Sequence, residues 1–238
     1  GSAISLVVLF RNIFPYLQDY DSWLQDERRE KFKSRLMDML LDGFCLELID
    51  GENSEFIPNF FVDLMHQMGK AKVITIGCMG PQSSGKSTLL NYMFGTQFAT
   101  SQGRCTSGLF LSLQCISNEK SAVEYLLIVD SEGLDGSERG DSQYDRKICS
   151  FLMNNVDLLL VNVKGEMNHT MTKNLEMTLF TANNLRSFKK VPKVYFVFNQ
   201  SNVNDNKTKS KLFRQISGMN NKIEGGIKNL DLILKKED

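Results

Sequence analysis

The sequence predicts an α/β domain with a mostly parallel, doubly wound sheet that contains one antiparallel strand, preceded by a helical extension. Two observations carry this. From residue 72 onward, short β-branched apolar runs alternate with segments of helical spacing, the order expected of strands joined by crossover helices. Runs such as LLIV within 124–130 and LLLV within 156–163 are apolar at successive positions rather than at every second one, as strands covered on both faces require.

The elements follow in chain order. Residues 5–70 read as helical: Phe32, Leu36, Leu40 and Phe44 recur at spacing four, Gly43 and Gly51 punctuate the run, and Pro58 opens a short helix bearing Phe60, Phe61, Leu64 and Met65. Strands are expected over 72–79, 109–116, 124–130, 156–163 and 193–198. Helices are expected over 86–94, 144–153 and 170–182, the last with Met171, Leu175 and Leu179 on one face. The polar run Ser117–Ala122 reads as a hairpin between the second and third strands, the place where an antiparallel pair enters. The expected division is a helical extension over 1–70 and an α/β domain over 71–238. Gly1-Ser2 reads as a remnant of expression cloning, and the unfinished amphipathic run KNLDLILKKED suggests one module of a longer protein with further domains.

Composition narrows the function. The 238 residues carry 28 Lys+Arg and 28 Asp+Glu, so the formal net charge is zero, which argues against a nucleic-acid-coating or polybasic membrane-surface protein. Hydrophobic residues are 42% and charged ones 24%, the usage of folded domains rather than disordered chains. No apolar stretch approaches the roughly 18 residues of a transmembrane helix. Five cysteines without a CxxC pair, and only two histidines, fit reduced thiols in the cytoplasm or nucleus and offer no metal-site spacing.

Four motifs carry chemistry. The first, GPQSSGKST, satisfies G-x-x-x-x-G-K-[ST] between an apolar strand and an amphipathic helix, the context of a phosphate loop. Backbone amides and a helix N-terminus converge there on an anion, so Gly80, Pro81, Gln82, Ser83, Ser84, Gly85, Lys86, Ser87 and Thr88 are candidate nucleotide-binding residues. Lys86 reaches the β- and γ-phosphates in such loops, and the hydroxyl at Ser87 coordinates Mg²⁺. The second motif, Asp130-Ser131-Glu132-Gly133, ends the third strand: its carboxylate suits a water-bridged Mg²⁺, and the Gly133 amide suits a γ-phosphate. The third, Gly103–Gly108 (GRCTSG), is a loop in which Thr106 is the candidate to close over the nucleotide and add a ligand to Mg²⁺. The fourth, NQSNVND, follows the last strand. Guanine is usually read there by N-K-x-D, but the frame holds Asn199-Gln200-Ser201-Asn202, and an amide cannot accept both guanine protons. Either Asp205 takes that role, or base discrimination is relaxed.

The same segments carry a family resemblance. The runs FCLELIDGENSEFIP, IGCMGPQSSGKSTLLNYMFGTQFATSQGRCTSGLF, IVDSEGL and LVNVKGE closely resemble the G domain of the very large interferon-inducible GTPases, a branch similar to the dynamin and guanylate-binding-protein class. The resemblance covers about residues 35–205. It implies a P-loop G domain, GTP and GDP as ligands, Mg²⁺, hydrolysis to GDP and phosphate, and a nucleotide-dependent homodimer across the nucleotide face. Ras-like GTPases place a water-orienting Gln directly after DxxG; here that residue is Leu134. Catalysis is therefore expected to draw on Lys86, on Gln82 and Ser83, which match the QS of the dynamin-like loop, on the Thr106 carbonyl for the water, and on Arg104 as an arginine finger. Leu134 and the irregular base motif also fit a nucleotide-gated self-assembly module with negligible turnover, and a P-loop ATPase is a third reading.

Overall fold

The computed structural model describes residues 4–5, 27–50, 58–100, 108–116, 122–131, 133–134, 142–164 and 192–199, together with Glu176, Phe180, Arg214 and Gly218. The chain divides into two compact units, one of residues 1–74, 87–101 and 105–130, the other of residues 75–86, 102–104 and 131–238.

The first unit begins with the two-residue strand β1 (Ile4–Ser5), helix α1 (Glu27–Leu41), strand β2 (Leu46–Asp50) and helix α2 (Pro58–His66). Helix α1 buries Leu36, Met37 and Leu40 on one face, the stripe that the spacing of four predicts. It lies against α2 and against β4 (Gly108–Cys115). Buried Arg29 forms an ion pair with Asp63 of α2. The helix ends where Gly43 turns to φ +90°, the Phe44 N–H bonding the Met39 carbonyl and the Gly43 N–H that of Leu40, both at 3.0 Å. This pair of bonds satisfies carbonyls that the helix end leaves orphaned, and its left-handed residue favours glycine.

The next five residues depart from the helical expectation over 5–70. Leu46–Asp50 is a strand, parallel to β1 and antiparallel to β4 with Leu46 opposite Leu111 and Asp50 opposite Gly108. Alternation in LELID is too short to outweigh the flanking helical pattern in a sequence reading. What decides it is the partner: β4 offers an unpaired edge and buries Leu109, Leu111 and Leu113 completely. The strand order in this unit is β1-β2-β4-β5, with β5 spanning Tyr125–Ser131. The end of β4 is tied to the start of β5 by the Ile116 N–H on the Glu124 carbonyl at 2.8 Å, as a hairpin requires; the turn residues 117–121 lie outside the described residues. Helix α3 (Lys86–Phe94) has the predicted bounds and stops at Gly95, φ +69°, whose N–H bonds the Asn91 carbonyl at 3.0 Å.

The second unit holds most of β3 (Val73–Met79), with β6 (Leu158–Lys164) beside it and β7 (Lys193–Asn199) beyond, in the order β3-β6-β7 and parallel throughout. Residues Leu159–Val163 are buried at every position, as the unbroken apolar run predicts. Helix α4 (Ser142–Asn155) runs directly into β6 and packs closely on β3: a Cβ on Gly77 would stand 2.9 Å from Val156 and 3.1 Å from Leu152. Of the expected helix over 170–182, Glu176 and Phe180 are described, and both are helical. The protein is thus a mainly parallel α/β domain with β4 as its antiparallel strand, as the sequence predicts.

The β2–β4 pairing gives the first prediction. A fragment beginning at residue 71 strips β4 of its neighbour and should scatter light at concentrations where the full chain stays clear, with a lower Tm. A fragment equal in solubility and Tm would refute this role for β2.

Candidate nucleotide-binding site

The phosphate loop, Gly80 to Lys86, leaves β3 and enters α3. Its shape depends on three left-handed or near-left-handed residues: Gly80 at φ +154°, Ser83 at +55° and Gly85 at +82°. Ser83 is the sole non-glycine with positive φ among the described residues, a conformation disfavoured for L residues and concentrated at functional sites. Space enforces glycine at two of these positions as well. A Cβ on Gly80 would meet the Asn162 carbonyl oxygen at 2.1 Å, and one on Gly85 the Asn199 Nδ2 at 2.9 Å.

Lys86 is only 6% exposed, and its Nζ donates to the carbonyls of Pro81 at 3.0 Å and Gly80 at 3.3 Å. The ammonium is therefore held on the loop that an anion would fill. The carbonyl of Ser84 receives two side-chain amides: Asn162 Nδ2 at 2.8 Å and Asn199 Nδ2 at 3.2 Å. Asn162 Nδ2 also reaches the Ser84 hydroxyl at 3.1 Å. Gln82 is half-buried, Ser83 and Thr88 are exposed, and Pro81 forms a parallel bridge with Leu134.

That bridge stitches the end of the DSEG motif to the phosphate loop. The Leu134 N–H bonds the Gly80 carbonyl at 3.0 Å, and the Gln82 N–H bonds the Leu134 carbonyl at 3.3 Å. A Cβ on Gly133 would fall 2.3 Å from the Gln82 Cα, so only glycine fits there. Leu134, 1% exposed, is a packed, backbone-paired residue.

In the first unit, the Ser87 hydroxyl donates to Asp130 Oδ2 at 2.5 Å, and Asp130 is fully buried. Two of the three predicted metal ligands are thus already in contact. Both are hard oxygen donors of the kind Mg²⁺ selects. Thr106, Arg104, Asn202 and Asp205 lie outside the described residues.

Two asparagines escape the sequence reading. Asn162 sits in the apolar run LLLVNV, where a polar residue on a strand buried on both faces is the signal. Asn91 lies on α3, where its low helix propensity is the weaker signal. Its Nδ2 donates to the Phe98 carbonyl at 2.9 Å, while its Oδ1 accepts from the Phe98 N–H at 2.9 Å and the Thr96 hydroxyl at 2.8 Å. These bonds fix the path of the chain just after α3, ahead of the GRCTSG segment.

A family model described as the URGCP-like GTPase domain matches residues 16–227. The chain belongs to that family. The chain is 30% identical over 169 residues to interferon-induced very large GTPase 1 of Homo sapiens and equally to that of Mus musculus, covering 67% of the chain and 7% of either relative. It is 41% identical over 93 residues to Protein sey1 of Emericella nidulans, covering 37% of the chain and 11% of that protein. A crystal structure of a dimerization-deficient mutant of Toc33 from Arabidopsis thaliana overlays with a TM-score of 0.47 at 18% identity over 68% of each chain. The chain therefore spans about 7% of the length of the very large GTPases that it matches. The family to which the chain belongs is one of GTPase domains. Among its described residues no helix is long and apolar enough to cross a membrane.

One titrating group of this GTPase domain borders the described site. Burial is the main cause that pushes the Cys45 thiol up from 9.0 to about 11, and the charge of Asp130 adds to it, while bonds from the Gln97 backbone and the Ser112 side chain oppose. The folded domain holds this proton more tightly than the unfolded chain. Raising the pH above about 9 therefore ionises only the unfolded chain, and the contribution to stability is lost as the pH climbs to about 11. Denaturation midpoints followed from pH 8 to 11 should fall over this window in the native chain and less in Cys45→Ala. Mass spectrometry after alkylation at pH 8 should find exposed Cys115 modified well before buried Cys45.

Proposed function

We propose that the domain is a Mg²⁺-dependent GTP switch of a dynamin-like large GTPase, which pairs with a second copy through its nucleotide face when GTP is bound. Two observations carry this reading: the Ser87–Asp130 contact at 2.5 Å, and a phosphate loop whose lysine is held in place on loop carbonyls. Ser87 and Asp130 are the residues that would hold Mg²⁺, with Thr106 as a third, and the ion would neutralise charge between the β- and γ-phosphates. Gly80 to Thr88 wrap the phosphates, Lys86 moves from loop carbonyls to phosphate oxygens, and the Gly133 amide answers to the γ-phosphate. Asp205 reads the base, because a carboxylate accepts both guanine protons and the amide of Asn202 does not.

Leu134 shapes the chemistry. Buried and paired with the phosphate loop, it has no polar group to orient water, so that work goes to Gln82, Ser83 and the Thr106 carbonyl, with Arg104 countering developing charge. The same residue supports a second reading, a self-assembly module in which the nucleotide gates pairing and turnover is slight. The organisation proposed with this function is a lead-in over 1–70 and a G domain over 71–238, within a longer cytoplasmic protein.

Phosphate release and molecular mass, measured together at several protein concentrations with GTP, GDP and a transition-state mimic, separate these readings. The native chain should release phosphate on the order of 100-fold faster than Lys86→Ala and double in mass only with GTP or the mimic. A rate equal to that of Lys86→Ala, with doubling retained, would establish the assembly module. Competition binding should show Asp205→Ala losing about 100-fold of its preference for GTP over ATP, with Asn202→Ala unchanged; the reverse pattern would assign the base to Asn202.

A further inference from the structure

A loop that meets a polyphosphate with its N–H groups must turn the matching carbonyls away from the ligand. In a planar trans peptide, C=O and N–H point in opposite directions. Fixing the Ser84 carbonyl therefore fixes the Gly85 N–H. Gly85, at φ +82°, has little intrinsic preference of its own, so the peptide before it needs an external hold.

Asn162 supplies one. It lies on β6, is 0% exposed, and donates through Nδ2 to the Ser84 carbonyl at 2.8 Å and to the Ser84 hydroxyl at 3.1 Å. Its main-chain carbonyl stands where a Cβ of Gly80 would be, 2.1 Å from that position. One strand residue thus shapes both ends of the loop, the first glycine through its backbone and the second through its side chain. Asn199 shares the Ser84 carbonyl at the longer distance of 3.2 Å, yet it closes β7 and precedes the base-reading segment. Asn162 is flanked by Val161 and Val163 in a stretch buried from Leu159 to Val163, so it cannot follow the ligand. Its Oδ1 is buried with no hydrogen-bond partner among the described residues. An unpartnered buried acceptor is costly, and an apolar residue of similar size would avoid it; what the amide provides is the donor.

We infer that Asn162 is a positioning residue for nucleotide binding: it holds the Ser84–Gly85 peptide so that the Gly85 N–H faces the polyphosphate. This deepens the GTP-binding reading and rests on it. Because the hold acts on the loop and not on the reacting atoms, its loss should weaken GDP and GTP alike and raise KM far more than it lowers kcat.

The test is Asn162→Leu in the full chain, with GDP and GTP affinities by calorimetry, steady-state turnover, and thermal melting without nucleotide. Expected are affinities about tenfold weaker for both nucleotides, an unchanged GTP-to-GDP ratio, kcat within about twofold and a cooperative melt. Affinities within twofold of the native chain, or a loss confined to kcat, would overturn the inference. A native chain that binds neither nucleotide would instead sink the GTP reading itself. If Asn162→Leu does not fold, the native chain still decides by NMR. Side-chain amide protons of Asn162 that exchange slowly and shift on adding GDP support the inference; protons that exchange at the rate of a free amide, with and without GDP, overturn it.

Discussion

The second unit is built around a constraint on one strand-to-helix turn: the loop from Gly80 to Gly85 must turn N–H groups such as that of Gly85 to one side without leaving its carbonyls orphaned on the other. Buried carbonyls without donors cost too much to be tolerated. Here the outward carbonyls with described partners draw on several elements. Gly80 is served by the Leu134 N–H and the Lys86 ammonium, Pro81 by Lys86, and Ser84 by Asn162 and Asn199. The parallel pairing of β3 with β6 and of β6 with β7 brings those donors to the loop. The sheet is the frame that delivers two side-chain amides, Asn162 from β6 and Asn199 from β7, to a single turn.

Much of this was legible before any coordinates. Unbroken apolar runs located the strands to within a residue or two, because burial on both faces leaves no polar position to blur the pattern. The bounds of α3 were fixed by a lysine at its start and a glycine at its end. The phosphate loop and the Ser87–Asp130 partnership followed from the motif, since that chemistry tolerates few residue types. What stayed hidden was set by partners distant in sequence. LELID becomes a strand because β4 has an edge to pair, and nothing local says so. Asn162 and Asn91 act through backbone groups, and a backbone carbonyl has no signature in a sequence. Asn199 is expected from its frame to belong to the nucleotide site, and its amide reaches the Ser84 carbonyl of the phosphate loop, a partner its frame does not announce.

Zero net charge takes on a more specific meaning beside this geometry. A broad basic surface would attract any polyanion, with affinity set by salt. This domain instead has one lysine, 6% exposed, at the head of a helix. In a site shielded from water a single ammonium and a set of oriented amides interact with an anion far more strongly than exposed lysines do. Global neutrality and a highly charged ligand are therefore compatible, and the neutral surface leaves little electrostatic penalty for two copies approaching each other.

The residue after DxxG serves packing: it ties the end of that motif to the phosphate loop. A glutamine there would need a solvent-facing side chain free to reach a water molecule. Leu134 is 1% exposed, and its N–H and carbonyl bracket the phosphate loop at Gly80 and Gln82. The leucine side chain anchors that bracket in the core, and with it Gly133, which touches Gln82 so closely that no Cβ fits. Because Gly133 and Gln82 are in direct contact, a shift of one on meeting a γ-phosphate must displace the other. With the roles proposed for Gly133 and Gln82, sensing and catalysis would be mechanically joined. A polar side chain at position 134 would sacrifice that anchor, so the absence of glutamine follows from the packing that holds the two motifs together.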